Sequence, residues 1–203
     1  DRQFCSSLER STNPLIPGAT YVLKSVNEQQ QNVAEYNVRG IDVQANYLFG
    51  IGDLGDIQTS LLWTIYDKAE QIQAGGTVLD MEGIAGGSTS DQGYIEHTAV
   101  LNVGWTLDKY KLNWNTRYIG DADMGFGTTT GGFPRLGSHS YHNLNATYAL
   151  NDKSKIYGGV NNVTDKQPPF MASGSSGTQA LDTVPGYYDV FGRSWYLGMT
   201  YGF

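Results

Sequence analysis

Few side chains in this chain could make or break a bond. Its histidines are His97, His139 and His142, and its single cysteine is Cys5. An offset of three, as in His139-x-x-His142, sends the two rings to opposite faces of a strand, so no zinc pair is expected there. Ser138, His142 and Asn143 supply the residue types of a hydrolytic set, yet no Gly-x-Ser-x-Gly elbow or other nucleophile context accompanies them. The histidines therefore read as rim or loop side chains. Asp121 and Asp123 are too few carboxylates for a calcium cage. Gly125-Phe126-Gly127 and Gly131-Gly132 do not link a strand to a helix, as a phosphate-cradling loop does. Neither enzymatic chemistry nor a metal or cofactor is expected.

Composition narrows the class. The 203 residues include 26 Gly, 14 Tyr, 7 Phe and 4 Trp, but only 16% are charged, with a net charge of −7. Aromatic-rich, glycine-rich and charge-poor sequences suit pleated sheets. A net −7 and a pI near 4.8 exclude nucleic acid as a partner, because phosphate neutralisation needs a basic face. A lone cysteine excludes a disulfide scaffold, although as a free thiol it would be reactive in an oxidising compartment. No apolar run is long enough to cross a bilayer as a helix, so any membrane role falls to strands.

The elements follow from period-two alternation. Ile41, Val43, Ala45, Tyr47 and Phe49 form one row, opposed by Asp42, Gln44 and Asn46. Ile57, Thr59, Leu61, Trp63 and Ile65 repeat the pattern on the return. Leu112, Trp114, Thr116 and Tyr118 likewise oppose Lys111, Asn113, Asn115 and Arg117. Strands are expected near 36–49, 57–67, 97–107, 111–119, 140–150, 155–163 and 193–203, with a further short one at 21–26 inside an N-terminal loop. Short turns at Gly52-Asp53, Asp108-Lys109 and Asp152-Lys153 alternate with long Gly-rich connections.

Strands of about ten residues, with short turns on one rim and long loops on the other, are the pattern of an outer-membrane β-barrel. Apolar rows would face lipid and polar rows a wet lumen. A soluble antiparallel sheet, such as a β-sandwich carbohydrate-binding module, shows the same alternation. It has no reason to end in an alternating apolar strand.

That final strand carries Trp195, Leu197, Met199, Tyr201 and Phe203 at every second position. It resembles the signature by which the outer-membrane barrel assembly machinery recognises its clients. Asn161-Asn162-Val163-Thr164-Asp165-Lys166-Gln167-Pro168-Pro169, followed by Tyr188-Asp189-Val190-Phe191-Gly192-Arg193, resembles the last hairpin of TonB-dependent outer-membrane receptors. Asn32 with Arg39-Gly40-Ile41-Asp42 is similar to the strand by which that family enters the barrel wall. Phe4-Cys5 with Arg10 resembles a cysteine-bearing extracellular loop of one branch, which implies a loop disulfide whose partner lies upstream of Asp1.

The resemblance implies a barrel of about 22 strands around a plugged lumen. The expected fold is thus all-β, an antiparallel up-and-down transmembrane sheet forming the last seven or so strands of such a barrel. Residues 1–35 are expected as an extracellular loop region, and 36–203 as C-terminal barrel strands with extracellular loops at about 72–95, 120–137 and 165–192. The family's plug domain and energy-coupling box are not found in the sequence. About seven strands ending at the short-turn rim would start at the opposite rim, where a complete barrel does not begin. A small autonomous barrel of about eight strands, porin-like or adhesin-like, would need polar Asn27-Glu28-Gln29-Gln30-Gln31-Asn32 to reach the membrane wall.

By the same resemblance the function is active import of a scarce nutrient across the outer membrane of a Gram-negative bacterium. Siderophore-iron, cobalamin and oligosaccharide all remain open. The implied partners are that small ligand, outer-membrane lipid and lipopolysaccharide, the barrel assembly machinery, and the TonB complex acting through a missing N-terminal region. Ligand contact is expected at the extracellular ends of lumen-facing rows and in the loops, at Arg117, Asp121, Asp123, Phe126, Phe133, Arg135, Tyr141, Tyr187 and Tyr188. Aromatics beside charges suit either sugar stacking or a chelated metal.

Overall fold

The alternating runs become strands. A computed structural model describes residues 8–11, 22–27, 35–73, 76–85, 93–123, 135–170 and 183–202. Its strands are β1 (Leu8–Ser11), β2 (Val22–Val26), β3 (Glu35–Gly50), β4 (Asp56–Ile72), β5 (Val78–Asp80), β6 (His97–Leu107), β7 (Tyr110–Ile119), β8 (His139–Asn151), β9 (Ser154–Asn161) and β10 (Ser194–Tyr201). Among the described residues there is no α-helix. The main sheet has the order β10-β9-β8-β7-β6-β4-β3, with β5 paired to β4. The pairings from β4 to β10 are antiparallel, and from β6 to β10 every strand lies beside its sequence neighbour. This is the up-and-down path expected from the hairpins.

The chain divides into two units, 1–36 with 71–79 and 37–70 with 80–203. In the first, β1 and β2 pair antiparallel, and Glu9 accepts hydrogen bonds from Lys24 Nζ at 2.6 Å and Ser25 Oγ at 2.9 Å. The second holds most of the main sheet.

Tight turns set its register. The β3–β4 connection is a 3-10 turn at Gly52–Leu54 closed by Gly55, whose φ of 95° and position against Thr106 admit no side chain, since a Cβ would lie 2.2 Å from the Thr106 carbonyl oxygen. Trp105 Nε1 donates to the Leu54 carbonyl at 2.7 Å and ties this turn to β6. In the β8–β9 turn the Asn151 side chain accepts from Lys153 N at 2.9 Å, an Asx turn.

Register places Ile57, Trp105, Leu112, Ala146, Gly158 and Leu197 in one cross-strand row, and Thr59, Val103, Trp114, Leu144, Val160 and Trp195 in the next. Both rows lie on the apolar face. Trp114 and Leu144, in the middle of the sheet, are each 47% exposed. No second layer of described residues covers them, as one would in a β-sandwich. On the polar face, Tyr196 stands opposite Gly159 and Tyr157 opposite Gly198. Each glycine makes room for the ring across from it, because a Cβ at Gly198 would lie 2.4 Å from Tyr157 Cζ.

Some boundaries differ from the sequence expectation. β4 continues to Ile72, five residues past 67, because backbone bonding persists to Met81 N, which donates to the Ala69 carbonyl at 2.8 Å. β9 stops at Asn161, before the expected 163, because Asn162 adopts a left-handed φ of 50° that ends the extended chain.

Candidate ligand-binding site

The long connections had no periodicity, yet backbone hydrogen bonds knit their described parts together. Tyr94 N donates to the Met81 carbonyl at 2.7 Å, and Gly83 N donates back to the Tyr94 carbonyl at 2.8 Å. Asp123 N then donates to the Gly83 carbonyl at 2.7 Å, and Ala85 N to the Asp123 carbonyl at 3.0 Å. Ala122 and Leu136 exchange both bonds, at 3.0 and 2.7 Å. This lattice gathers Ala85, Ile95, Ile119, Ala122, Leu136, Tyr141, Val184 and Tyr188 into one buried apolar cluster. Burying each large aliphatic side chain contributes ~1.5–3 kcal/mol, enough to hold short irregular segments against their entropy cost. The bases of all three long loops are therefore one packed platform at the same rim of the sheet.

Beside the platform, the polar face carries a row of carboxamides. Asn102 Nδ2 donates to Ser60 Oγ at 3.4 Å, Asn115 Nδ2 to Asn102 Oδ1 at 2.8 Å, and Asn143 Nδ2 to Asn115 Oδ1 at 3.2 Å. The row runs on to Asn162, whose backbone N donates to Asn143 Oδ1 at 2.8 Å. Asn162 is fully buried and is the hub. Its side chain accepts from Lys166 N at 2.8 Å and donates to the Lys166 carbonyl at 3.0 Å and to Asp189 Oδ2 at 3.4 Å. A chain of hydrogen bonds thus runs from β4 across β6, β7 and β8 to the segment 183–192. Between that segment and the sheet lies a cavity of ≈ 810 Å³, lined by Asn115, Arg117, Tyr141, Asn143, Tyr188, Asp189 and their neighbours.

Three of the expected contact residues, Arg117, Tyr141 and Tyr188, meet at this cavity. The Arg117 guanidinium carbon lies 5.1 Å from the Tyr141 ring centre, a cation–π contact. Asp121 and Arg135 are paired with each other at 2.6 Å and close the base of the second loop. The Arg135 hydrogen bond holds the Asp121 carboxyl below the usual carboxylate range. Asp123 contributes through its backbone, bridging to Ile84. Tyr187 is half-buried and donates its hydroxyl to the Gly93 carbonyl. Tyr141 and Tyr188 are 3% and 1% exposed, so their rings are packed against the loop bases. Phe126, Phe133, Cys5 and Phe203 lie outside the described residues. His139 and His142 point to opposite faces, His139 against Tyr188 at 5.2 Å and His142 against Trp114 at 5.8 Å.

Burial pushes both Tyr187 and Tyr188 hydroxyls up to about 12. An acid whose folded pKa exceeds its unfolded value of about 10 holds its proton more tightly when folded. The platform's stability is then complete below pH ~10 and falls as pH climbs toward 12. Spectrophotometric titration of the folded protein should show a late-ionising tyrosine fraction that shrinks in Tyr187→Phe and Tyr188→Phe. Simultaneous ionisation of every tyrosine near pH 10 would show the burial to be wrong.

Sequence reading missed Asn102, Asn143 and Asn162 as a connected set. A signal existed in the asparagines at alternate positions on β7 and β8, but only pairing register reveals that they are adjacent.

A family model described as TonB dependent receptor-like, beta-barrel, matches residues 8–163. In fold the chain is similar to a mutant of the ferric enterobactin receptor from Pseudomonas aeruginosa, with a TM-score of 0.56 at 16% identity over 97% of this chain. The chain spans 27% of that receptor's length. No curated protein matches it.

Proposed function

The chain belongs to the TonB-dependent receptor-like β-barrel family, and on that premise we propose that it is the C-terminal wall segment of an outer-membrane receptor importing a scarce nutrient. The observation that carries this reading is the convergence of three successive loops on one packed platform beside a polar-face cavity. A receptor must hold ligand-contacting loops in place before the ligand arrives, since ordering them on binding would subtract from affinity. The apolar face meets outer-membrane lipid and lipopolysaccharide, and the polar face lines the lumen of a Gram-negative outer-membrane barrel. Siderophore-iron, cobalamin and oligosaccharide are the candidate cargoes; the similarity to a ferric enterobactin receptor supports keeping the first among them.

The role is recognition and passage, with no bond made or broken in the cargo. Arg117, Tyr141 and Tyr188 serve the cavity, whereas Asp121, Asp123 and Arg135 hold the base of the second loop, whose Phe126 and Phe133 are proposed ligand contacts. Energy arrives through a TonB complex acting on the N-terminal region of the full-length receptor. The strand bearing Trp195, Leu197, Met199, Tyr201 and Phe203 presents the signal read by the barrel assembly machinery. Residues 1–35 form an extracellular region, with Cys5 in a loop disulfide.

Uptake assays on cells expressing the full-length receptor test this reading. Arg135→Ala should leave the amount of folded receptor unchanged and lower uptake of the cognate nutrient several-fold, and removing TonB should abolish uptake. Uptake that persists without TonB would overturn the proposal.

A further inference from the structure

The apolar face is not flat. Near the short-turn rim it holds a groove of ≈ 590 Å³, floored by Ala146 and Gly158 and walled by Leu112, Tyr148, Ile156 and Leu197. The floor residues are neighbours in a cross-strand row, with Leu112 on one flank and Leu197 on the other. A Cβ at Gly158 would lie 3.2 Å from Leu197 Cδ1, so the leucine leans over the space that glycine leaves. The next row toward the turns is bulky again, with Tyr110, Tyr148 and Ile156 abreast and the two tyrosine rings 4.9 Å apart.

The turns beneath the groove carry one motif twice, Asp108-Lys109-Tyr110-Lys111 and Asp152-Lys153-Ser154-Lys155. Only Lys24, Lys68 and Lys166 lie elsewhere, so an acidic chain gathers most of its lysines here. Set against Asp108 and Asp152, these lysines leave the two turns net cationic. Among the described residues none of them is within salt-bridge distance of a carboxylate, whereas Lys24 is paired with Glu9 and Lys68 with Glu70. Backbone bonds hold both turns in place, Ala149 N donating to the Lys109 carbonyl at 2.9 Å and Gly202 N to the Lys153 carbonyl at 2.7 Å. Lys111 and Lys155 belong to polar rows, but Lys109 and Lys153 occupy exposed turn tips, from which a long side chain reaches the level of lipid headgroups.

We propose that this groove binds one anionic glycerophospholipid of the periplasmic leaflet, with an acyl chain lying over Ala146 and Gly158 and the phosphate held by Lys109 and Lys153. The site rests on the reading of the apolar face as lipid-facing and of the short turns as the periplasmic rim, and deepens it by naming the lipid. A flat wall would take any lipid alike. Lipid tails are as apolar as leucine, so a chain seated in the groove gains packing on its sides and not dehydration, and the turn lysines supply the choice of headgroup.

Native mass spectrometry of the full-length receptor in detergent tests the site, with dioleoyl-phosphatidylglycerol, dioleoyl-phosphatidylcholine and glycerol 3-phosphate as probes. Wild type should retain one phosphatidylglycerol about tenfold more tightly than phosphatidylcholine, and glycerol 3-phosphate at equal concentration should not displace it. Ala146→Leu fills the groove with a side chain that a lipid-facing wall accepts, so retention should fall several-fold while folded yield is unchanged. Lys109→Gln combined with Lys153→Gln should abolish the preference for phosphatidylglycerol and leave phosphatidylcholine binding as it was. Equal retention of the two lipids by wild type, wild-type retention in Ala146→Leu, or displacement by glycerol 3-phosphate would each overturn the site. An unchanged preference in the lysine variant would overturn it as well, and that variant, confined to exposed turn tips, decides the matter even where Ala146→Leu folds poorly. Each of these results leaves TonB-dependent uptake standing. Loss of that dependence with phosphatidylglycerol retention intact would instead sink the import reading alone.

Discussion

Asn162→Ala is expected to free residues 183–192 from the barrel wall while leaving the strands paired. Asn162 is completely buried and makes three side-chain hydrogen bonds, two to Lys166 and one to Asp189. Alanine removes all three, at ~0.5–1.5 kcal/mol each in the general case and more for the bond to a carboxylate. It must also hold the left-handed φ of 50°, which asparagine tolerates and alanine resists by ~1 kcal/mol. A local destabilisation of about 3–4 kcal/mol should result. Hydrogen exchange would report it as faster exchange, by about a hundredfold or more, at the amides of 183–192, with β7 and β8 unchanged. Asn162→Gly isolates the cause, because glycine relieves the strain and keeps the loss of hydrogen bonds. Exchange confined to wild-type rates in both variants would mean that the apolar packing of Val184 and Tyr188 alone holds the segment.

Arginine scanning of β7 should separate the two faces of the wall just as sharply. Leu112 and Trp114 lie on the apolar face and Asn113 and Asn115 on the polar one. An arginine replacing Leu112 or Trp114 near mid-membrane should cost ~2–4 kcal/mol, falling toward either rim. Asn113→Arg should be nearly neutral, since a lumen-facing charge stays hydrated. Ile41, Val43, Tyr47, Trp63, Leu101, Val103, Trp105, Leu197 and Met199 belong to the costly set, and Gln44 and Asn46 to the tolerant one. Folded yield into vesicles, measured by the reduced gel mobility of unheated barrels, reads the difference. The larger penalty at Asn113 would reverse the face assignment.

The sheet was legible in the sequence because its information is local. Alternation needs only the residue two positions away, and the Asp108-Lys109 and Asp152-Lys153 turns name the hairpins, so strand number, direction and face could be read before any contact was known. The family resemblance was legible too, in the order of motifs from Arg39-Gly40-Ile41-Asp42 to the terminal aromatic strand. Boundaries were less so. Asn162 looked like one more strand residue, and only its role as a left-handed hub explains why β9 ends before it.

The platform and the cavity belonged to the tertiary structure alone. Ala85, Ile119, Leu136 and Val184 sit in four separate stretches, and nothing periodic marks them as a core. The sequence supplies the types of Tyr141 and Tyr188 but not what covers them. Asn102, Asn115 and Asn143 form a row only once three strands lie in register. Burial and pairing are sums over neighbours distant in sequence, so the chain order shows which residues could recognise a ligand and only the fold decides which of them are free to do it.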